Sequence, residues 1–238
     1  MQESTTIANY PSNSISEAEF SSVQARAEVM IRERGFLGVP IETFAAAGRS
    51  QLNALIGEGL KPDSTLLDLG CGCLRAGYWL VRYLDAAGYH GIEPVRARVE
   101  LGLRYLFTDA ELNRKRPQFD FNSRFDSSVF DTSFDFFLAG SVWTHASKQQ
   151  IQLTLDNFIR NSQESGVFLT SYLPALTTDD DYRGDHWVGT GCESNVPGVV
   201  RHSRSWIENQ CANRSLSVRE LPGEAFDGQT WLTIRRLT

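Results

Sequence analysis

The stretch STLLDLGCGCLRAG, residues 64–77, constrains the fold of this chain more than any other. Leu66, Leu67 and Leu69 leave the run without a polar face, as expected of a strand buried on both sides in a parallel sheet. The run ends in a glycine pair, Gly70 and Gly72. Ala76, Trp79, Leu80, Tyr83 and Leu84 then recur at helical spacing, and Gly88 supplies a stop. YHGIEP is the next strand, and Val95, Val99 and Leu103 begin another helix. A β–α–β–α order within about 40 residues predicts an α/β domain.

The rest of the chain extends that pattern. Ser16 with Glu19 fits a capping box, and Phe20, Val23, Ala27, Met30 and Ile31 follow at helical spacing. A second helix places Leu52, Leu55 and Ile56 on one face and stops near Gly59. PQFDFNS is a weak strand, FDFFLAGSV a strong one. Ser147 and Gln150 form a second capping box, before a helix carrying Ile151, Leu155, Phe158 and Ile159 inward. GVFLTSYL is another buried strand, SRSWIENQCANR a helix, and SLSVREL and QTWLTIRR two strands able to pair antiparallel. The reading is one doubly wound α/β domain over 61–238 with an N-terminal helical extension or cap over 1–60. Compact domains seldom keep a loop as long as 174–200 without a use for it, so it reads as a substrate lid.

Bulk properties exclude several functions. A net charge of −6 disfavours nucleic acid as a partner. The basic triplet Arg114-Lys115-Arg116 reads as a solvated loop. Four cysteines, at 71, 73, 192 and 211, lack zinc spacing and suit no disulfide framework. The run Asp179-Asp180-Asp181 points its carboxylates in different directions, so no metal is expected. The polar opening residues lack the order of a signal peptide, and no apolar run reaches membrane-spanning length. The expectation is a cytoplasmic protein working without membrane or nucleic acid; its oligomeric state is open.

The glycine loop carries the chemistry. Its amides feed a helix N-terminus, where an anion could sit, yet Asp68 near the strand end would repel a pyrophosphate. A carboxylate there suits a positively charged ligand, such as an ammonium or sulfonium. Arg75 occupies the third-glycine position of GxGxxG, which further weakens a dinucleotide reading. Glu93 closes the second strand 23 residues after Gly70, where a carboxylate can accept both hydroxyls of a ribose.

With LLDLGCG, YHGIEP, FDFFLAGSVWTHAS and GVFLTSYL in place, the chain resembles the class I S-adenosylmethionine-dependent methyltransferase superfamily from about Leu52 to its end. The resemblance implies a mostly parallel seven-stranded sheet whose last strand is antiparallel, with S-adenosylmethionine as cofactor. It implies that Gly70, Cys71 and Gly72 line the methionyl and ribose part, Asp68 meets the amino-acid end, and Glu93 holds the ribose. Ser123, Arg124 and Phe125 fall where the family contacts adenine, with Ser123 replacing the usual aspartate. Ser141 would touch the cofactor through its backbone. Leu74 stands where the commoner third glycine belongs, which implies a different loop path.

The expected reaction is methyl transfer to an oxygen or nitrogen of a small-molecule acceptor. His145, after the fourth strand, is the candidate base. Trp143, His186 and Trp187 are candidates to contact the acceptor, with Asp185 beside them. Cys71 is expected to serve through its backbone and Cys73 through packing. A peptide or protein acceptor, an NAD-dependent oxidoreductase and a non-catalytic cofactor-binding module are the alternatives.

Overall fold

A computed structural model describes residues 17–34, 40–189, 198–225 and 227–237. Helices α1 (Glu17–Arg34) and α2 (Phe44–Gly57) come first. Then follow β1 (Leu66–Leu69), α3 (Gly77–Tyr83), β2 (Tyr89–Ile92), α4 (Arg96–Leu106), α5 (Asp109–Lys115) and β3 (Gln118–Asp120). The chain continues through β4 (Phe134–Ala139), α6 (Lys148–Asn161), β5 (Ser162–Tyr172), α7 (Arg204–Ala212), β6 (Leu216–Glu224) and β7 (Thr230–Arg236). The strands form one sheet in the order β3-β2-β1-β4-β5-β7-β6. The first five strands pair in parallel, while β7 is antiparallel to both β5 and β6. The expected seven-stranded, doubly wound sheet is therefore the observed one.

Alternation along each strand divides the core between two faces. Leu66, Phe136, Leu138, Val167, Leu169 and Trp231 belong to one cluster, which also takes in Val23, Phe44, Leu52 and Trp79 of the helices. Leu67, Leu69, Phe137, Ala139, Phe168 and Leu232 belong to the other, with Ile151, Leu155 and Phe158 of α6 and Ile207 of α7. Asp68 falls in register with the first face, beneath the N-terminal helices. Those helices share the sheet's core, because Val23, Ala27 and Met30 of α1 are fully buried.

Local signals account for most element ends. Ser147 accepts from the Gln150 amide at 3.2 Å while the Gln150 side chain accepts from the Ser147 amide at 2.8 Å, completing the capping box of α6. The box proposed at Ser16 lies outside the described residues. Helix α5 lies outside the expected elements, although Thr108 and Glu111 carry the same signature and cap each other. The basic triplet is corrected by this helix. Arg114 and Lys115 form its last turn, Arg116 is its left-handed cap, and the Lys115 ammonium donates to the carbonyls of Arg82 and Leu84. The cations thus complement a helix C-terminus instead of decorating a loop.

Candidate functional site

In an open α/β sheet, ligands bind beyond the strand carboxyl ends where the strand order reverses. Here that point lies between β1 and β4, which share a register of Leu66 with Phe136 and Asp68 with Leu138. The loop after β1 is tied to β2, since Gly70 and Cys71 both donate to the Ile92 carbonyl, at 2.8 and 3.2 Å. Gly70 has a φ of +68°, and a Cβ there would stand 2.7 Å from a Val142 methyl. Only glycine meets both demands. Gly72, at φ +54°, faces open space, with nothing nearer to an added Cβ than 3.9 Å. Leu74 holds φ +61°, the left-handed conformation that glycine adopts freely. The cost of about 1–2 kcal/mol falls on a leucine that is fully buried and wedged against Gly77 and Gly102.

Two carboxylates flank this loop, both nearly inaccessible. Glu93 accepts from the Gly72 amide at 3.2 Å through one oxygen, and from the Val95 amide at 3.0 Å and Arg98 at 3.3 Å through the other. Asp68 accepts from the Tyr89 hydroxyl at 2.7 Å. Burial pushes its pKa up to about 7, against the Tyr89 hydrogen bond and the Arg75 charge, while the Glu93 charge adds to the rise. Burial also pushes up the Cys71 thiol, which sits 2.8 Å from where a Gly91 Cβ would be. The thiol of Cys71 is thus turned into the sheet, and Cys71, Cys73 and Cys211 are all buried.

The adenine-side candidates separate. Ser123 and Arg124 are exposed, whereas Phe125, at φ +55°, is buried in the cluster that holds Leu69 and Ile92. Asn122 organises this turn. It donates to Asp120 and accepts from the Arg124 and Asp126 amides at 3.2 and 3.0 Å.

Ser141 stands at the end of β4 with φ +61°. Its amide donates to the Ser171 hydroxyl at 2.8 Å, Ser171 donates to Gln229 at 2.7 Å, and Gln229 donates back to the Ser141 hydroxyl at 2.9 Å. This closed ring braces β4, β5 and the β6–β7 hairpin against one another, and no sequence pattern announced it.

The acceptor-side candidates fall into three environments. Trp143 is fully buried, bonded through Nε1 to Thr154 at 3.1 Å and set edge-on to Phe168. It fills the core and offers no face to a pocket. His145 stacks on Trp187 at 5.4 Å with 22° between the rings, and its Nδ1 lies 2.8 Å from the Val188 carbonyl. Burial lowers the His145 pKa, opposed by the carbonyls of Val188 and Gly198. His186 and Asp185 pair at 3.1 Å on the exposed side of the segment, apart from that stack.

Residues 174–189 and 198–200 are strapped down at several points. Pro174 bridges His202 and Asp181 bridges Arg201 in parallel. The Val188 amide donates to His145 O at 2.8 Å and the Val200 amide to Thr144 O at 2.7 Å. Asp181 pairs with Lys148 and accepts from the Ser203 amide. His202, which sequence reasoning passed over, is fully buried with Nε2 3.1 Å from the carbonyls of Trp143 and Ala146. Residues 190–197 lie outside the description, as does Cys192. Among the described residues no group of His, Cys, Asp and Glu is placed to hold a metal, and no helix is long and apolar enough to cross a membrane.

No protein-family model matches the sequence. Solved structures do match over most of the chain. A DhpI complex with S-adenosylhomocysteine aligns at a TM-score of 0.59 with 14% identity, over 95% of this chain and 99% of the other. Magnesium protoporphyrin IX methyltransferase (ChlM) from Synechocystis PCC 6803, with bound S-adenosylhomocysteine, aligns at 0.60 with 14% identity, over 91% of this chain and 95% of that one. The glycopeptide N-methyltransferase MtfA, complexed with S-adenosylmethionine, aligns at 0.60 with 10% identity, over 79% and 94%. At these identities the likeness concerns architecture: the chain has the fold of the class I methyltransferases.

Proposed function

We propose that this protein is an S-adenosylmethionine-dependent methyltransferase acting on an oxygen or nitrogen of a small-molecule acceptor. The observation that carries the reading is the meeting of Asp68, the Gly70–Gly72 loop and Glu93 at the strand ends beside the β1/β4 reversal. The residues fit the cofactor. Open space above Gly72 admits a ligand, Glu93 keeps an acceptor site for a ribose hydroxyl on the oxygen that meets Gly72, and Asp68 puts negative charge where an ammonium belongs. S-adenosylmethionine supplies an activated methyl group on a sulfonium.

The protein's share of the work is orientation and exclusion of water, which can contribute up to roughly 7–11 kcal/mol to a reaction of this kind. The Glu93–Gly72 bond preforms the loop, and the Ser141–Ser171–Gln229 ring sets the end of β4. His145 anchors the chain at Trp187 and Val188, and its Nδ1 bond to the Val188 carbonyl leaves Nε2 as the nitrogen able to accept a proton. Trp187 is retained as an acceptor-side residue of the lid. The net charge of −6 supports a small molecule over a nucleic acid, and the free thiols of Cys71, Cys73 and Cys211 suit work in the cytoplasm.

An NAD-dependent oxidoreductase is the second reading. The antiparallel β7 between β5 and β6 and the buried Asp68 under the loop both disfavour it. Calorimetric titration with S-adenosylhomocysteine and with NAD separates the two: binding of the first alone is expected, and binding of NAD alone overturns the proposal. Radiolabelled methyl transfer into a size-separated lysate tests the acceptor, and label confined to macromolecules rejects a small molecule.

A further inference from the structure

We infer that Arg75, held by Gln51 of α2, receives the carboxylate of the cofactor's amino-acid end while Asp68 receives its ammonium, so that the N-terminal helices form a wall of the cofactor site. The inference rests on the methyltransferase reading and extends it to two residues that the glycine-loop pattern does not include.

Three close approaches support it. Helix α2 lies directly on the loop, since a Cβ on Gly48 would stand 2.1 Å from the Arg75 carbonyl oxygen. The Gln51 amide, oriented with its oxygen toward Arg75, accepts from Nε at 3.2 Å and from a terminal nitrogen at 3.1 Å. The same amide would stand 2.6 Å from a Cβ on Gly140, at the end of β4. Gln51 therefore reaches from the β1 loop to the β4 end, across the crevice where the strand order reverses.

The charges there are of both signs. The Arg75 guanidinium acts electrostatically on Asp68, whose second oxygen accepts no hydrogen bond from the described residues. A ligand end bearing one charge would meet the wrong sign on one side, at a steep cost in a desolvated crevice. A zwitterion matches both. The planar guanidinium is also suited to a carboxylate, which it can engage through two nitrogens.

The test is calorimetric titration of the full chain with three ligands: S-adenosylhomocysteine, its carboxamide analogue, and 5′-methylthioadenosine, which lacks the amino-acid end. The wild-type protein is expected to bind the carboxamide about 10- to 100-fold more weakly than the acid, the range for a charge-assisted hydrogen bond. Arg75→Gln is expected to weaken S-adenosylhomocysteine by a similar factor while leaving 5′-methylthioadenosine unchanged, with Arg75→Lys recovering part of the loss. Equal wild-type affinity for acid and carboxamide overturns the inference, and so does an Arg75→Gln loss shared equally by both nucleosides. If Arg75→Gln does not fold, the carboxamide comparison on the wild type decides. Wild-type protein that binds none of the three refutes the methyltransferase reading itself.

Discussion

The Tyr89 hydroxyl donates a 2.7 Å hydrogen bond to Asp68 inside the protein, one strand over and one step along the same sheet face. That bond holds a carboxylate which burial would otherwise leave with little support, and Arg75 supplies an opposing charge. Asp68 is thus held inside the protein against its own solvation, as the proposed cofactor role requires.

Replacing Asp68 by Asn is expected to raise thermal stability at pH 8 while weakening S-adenosylhomocysteine binding. The folded-state pKa of about 7 lies above the ordinary aspartate value of 3.8. Stability from this group is therefore fully present below about pH 4 and is lost as pH rises through 7, on the order of a few kcal/mol. Thermal melts of both proteins at pH 5 and pH 8 check this; an equal difference at the two pH values contradicts it.

Affinity for S-adenosylhomocysteine should rise with pH across the same residue's titration. Below pH 7 the carboxyl is mostly protonated and offers no charge to the ligand ammonium. The expected gain from pH 6 to pH 8 is about tenfold, and Asp68→Asn should flatten it. 5′-methylthioadenosine, without the ammonium, should show no such dependence.

Glu93→Gln should weaken S-adenosylhomocysteine and 5′-methylthioadenosine alike, by about 10- to 100-fold, because both carry the ribose. The substitution also places an amide donor against either the Gly72 or the Val95 amide, which the carboxylate now accepts from. Titration of the variant with both ligands is the measurement. A loss confined to S-adenosylhomocysteine would assign Glu93 to the amino-acid end instead.

His145→Ala should loosen residues 176–189. It removes the stack on Trp187 and the bond to the Val188 carbonyl, together worth about 1–2 kcal/mol. Limited proteolysis within residues 176–189 is expected to accelerate several-fold, with His145→Phe, which keeps the stack, in between. Unchanged proteolysis in both variants would remove His145 as an anchor.

Much of the architecture was legible before any coordinates. The strand ending in Gly70, the acid closing the next strand and the Ser147–Gln150 cap are local patterns, and each appears where its sequence places it. Helix α5 was legible too, through Thr108 and Glu111, but its short span carries no apolar stripe to draw notice. Gln51 had a signal of a kind, a polar residue on the buried stripe with Gly48, Leu52 and Leu55. Trp143 had none, because a tryptophan after a strand can face core or cleft.

By itself the sequence determined the period of each element, the glycine loop and its two carboxylates, because backbone geometry repeats over a few residues and leaves its mark in the same few residues. Only the tertiary structure decided which side chains those carboxylates meet. Sheet order brings Gln51 to Gly140 and Arg75, and folds Val188 back over His145 across 43 positions of chain. Such partnerships depend on which faces close on one another, and that is set by packing of the whole core.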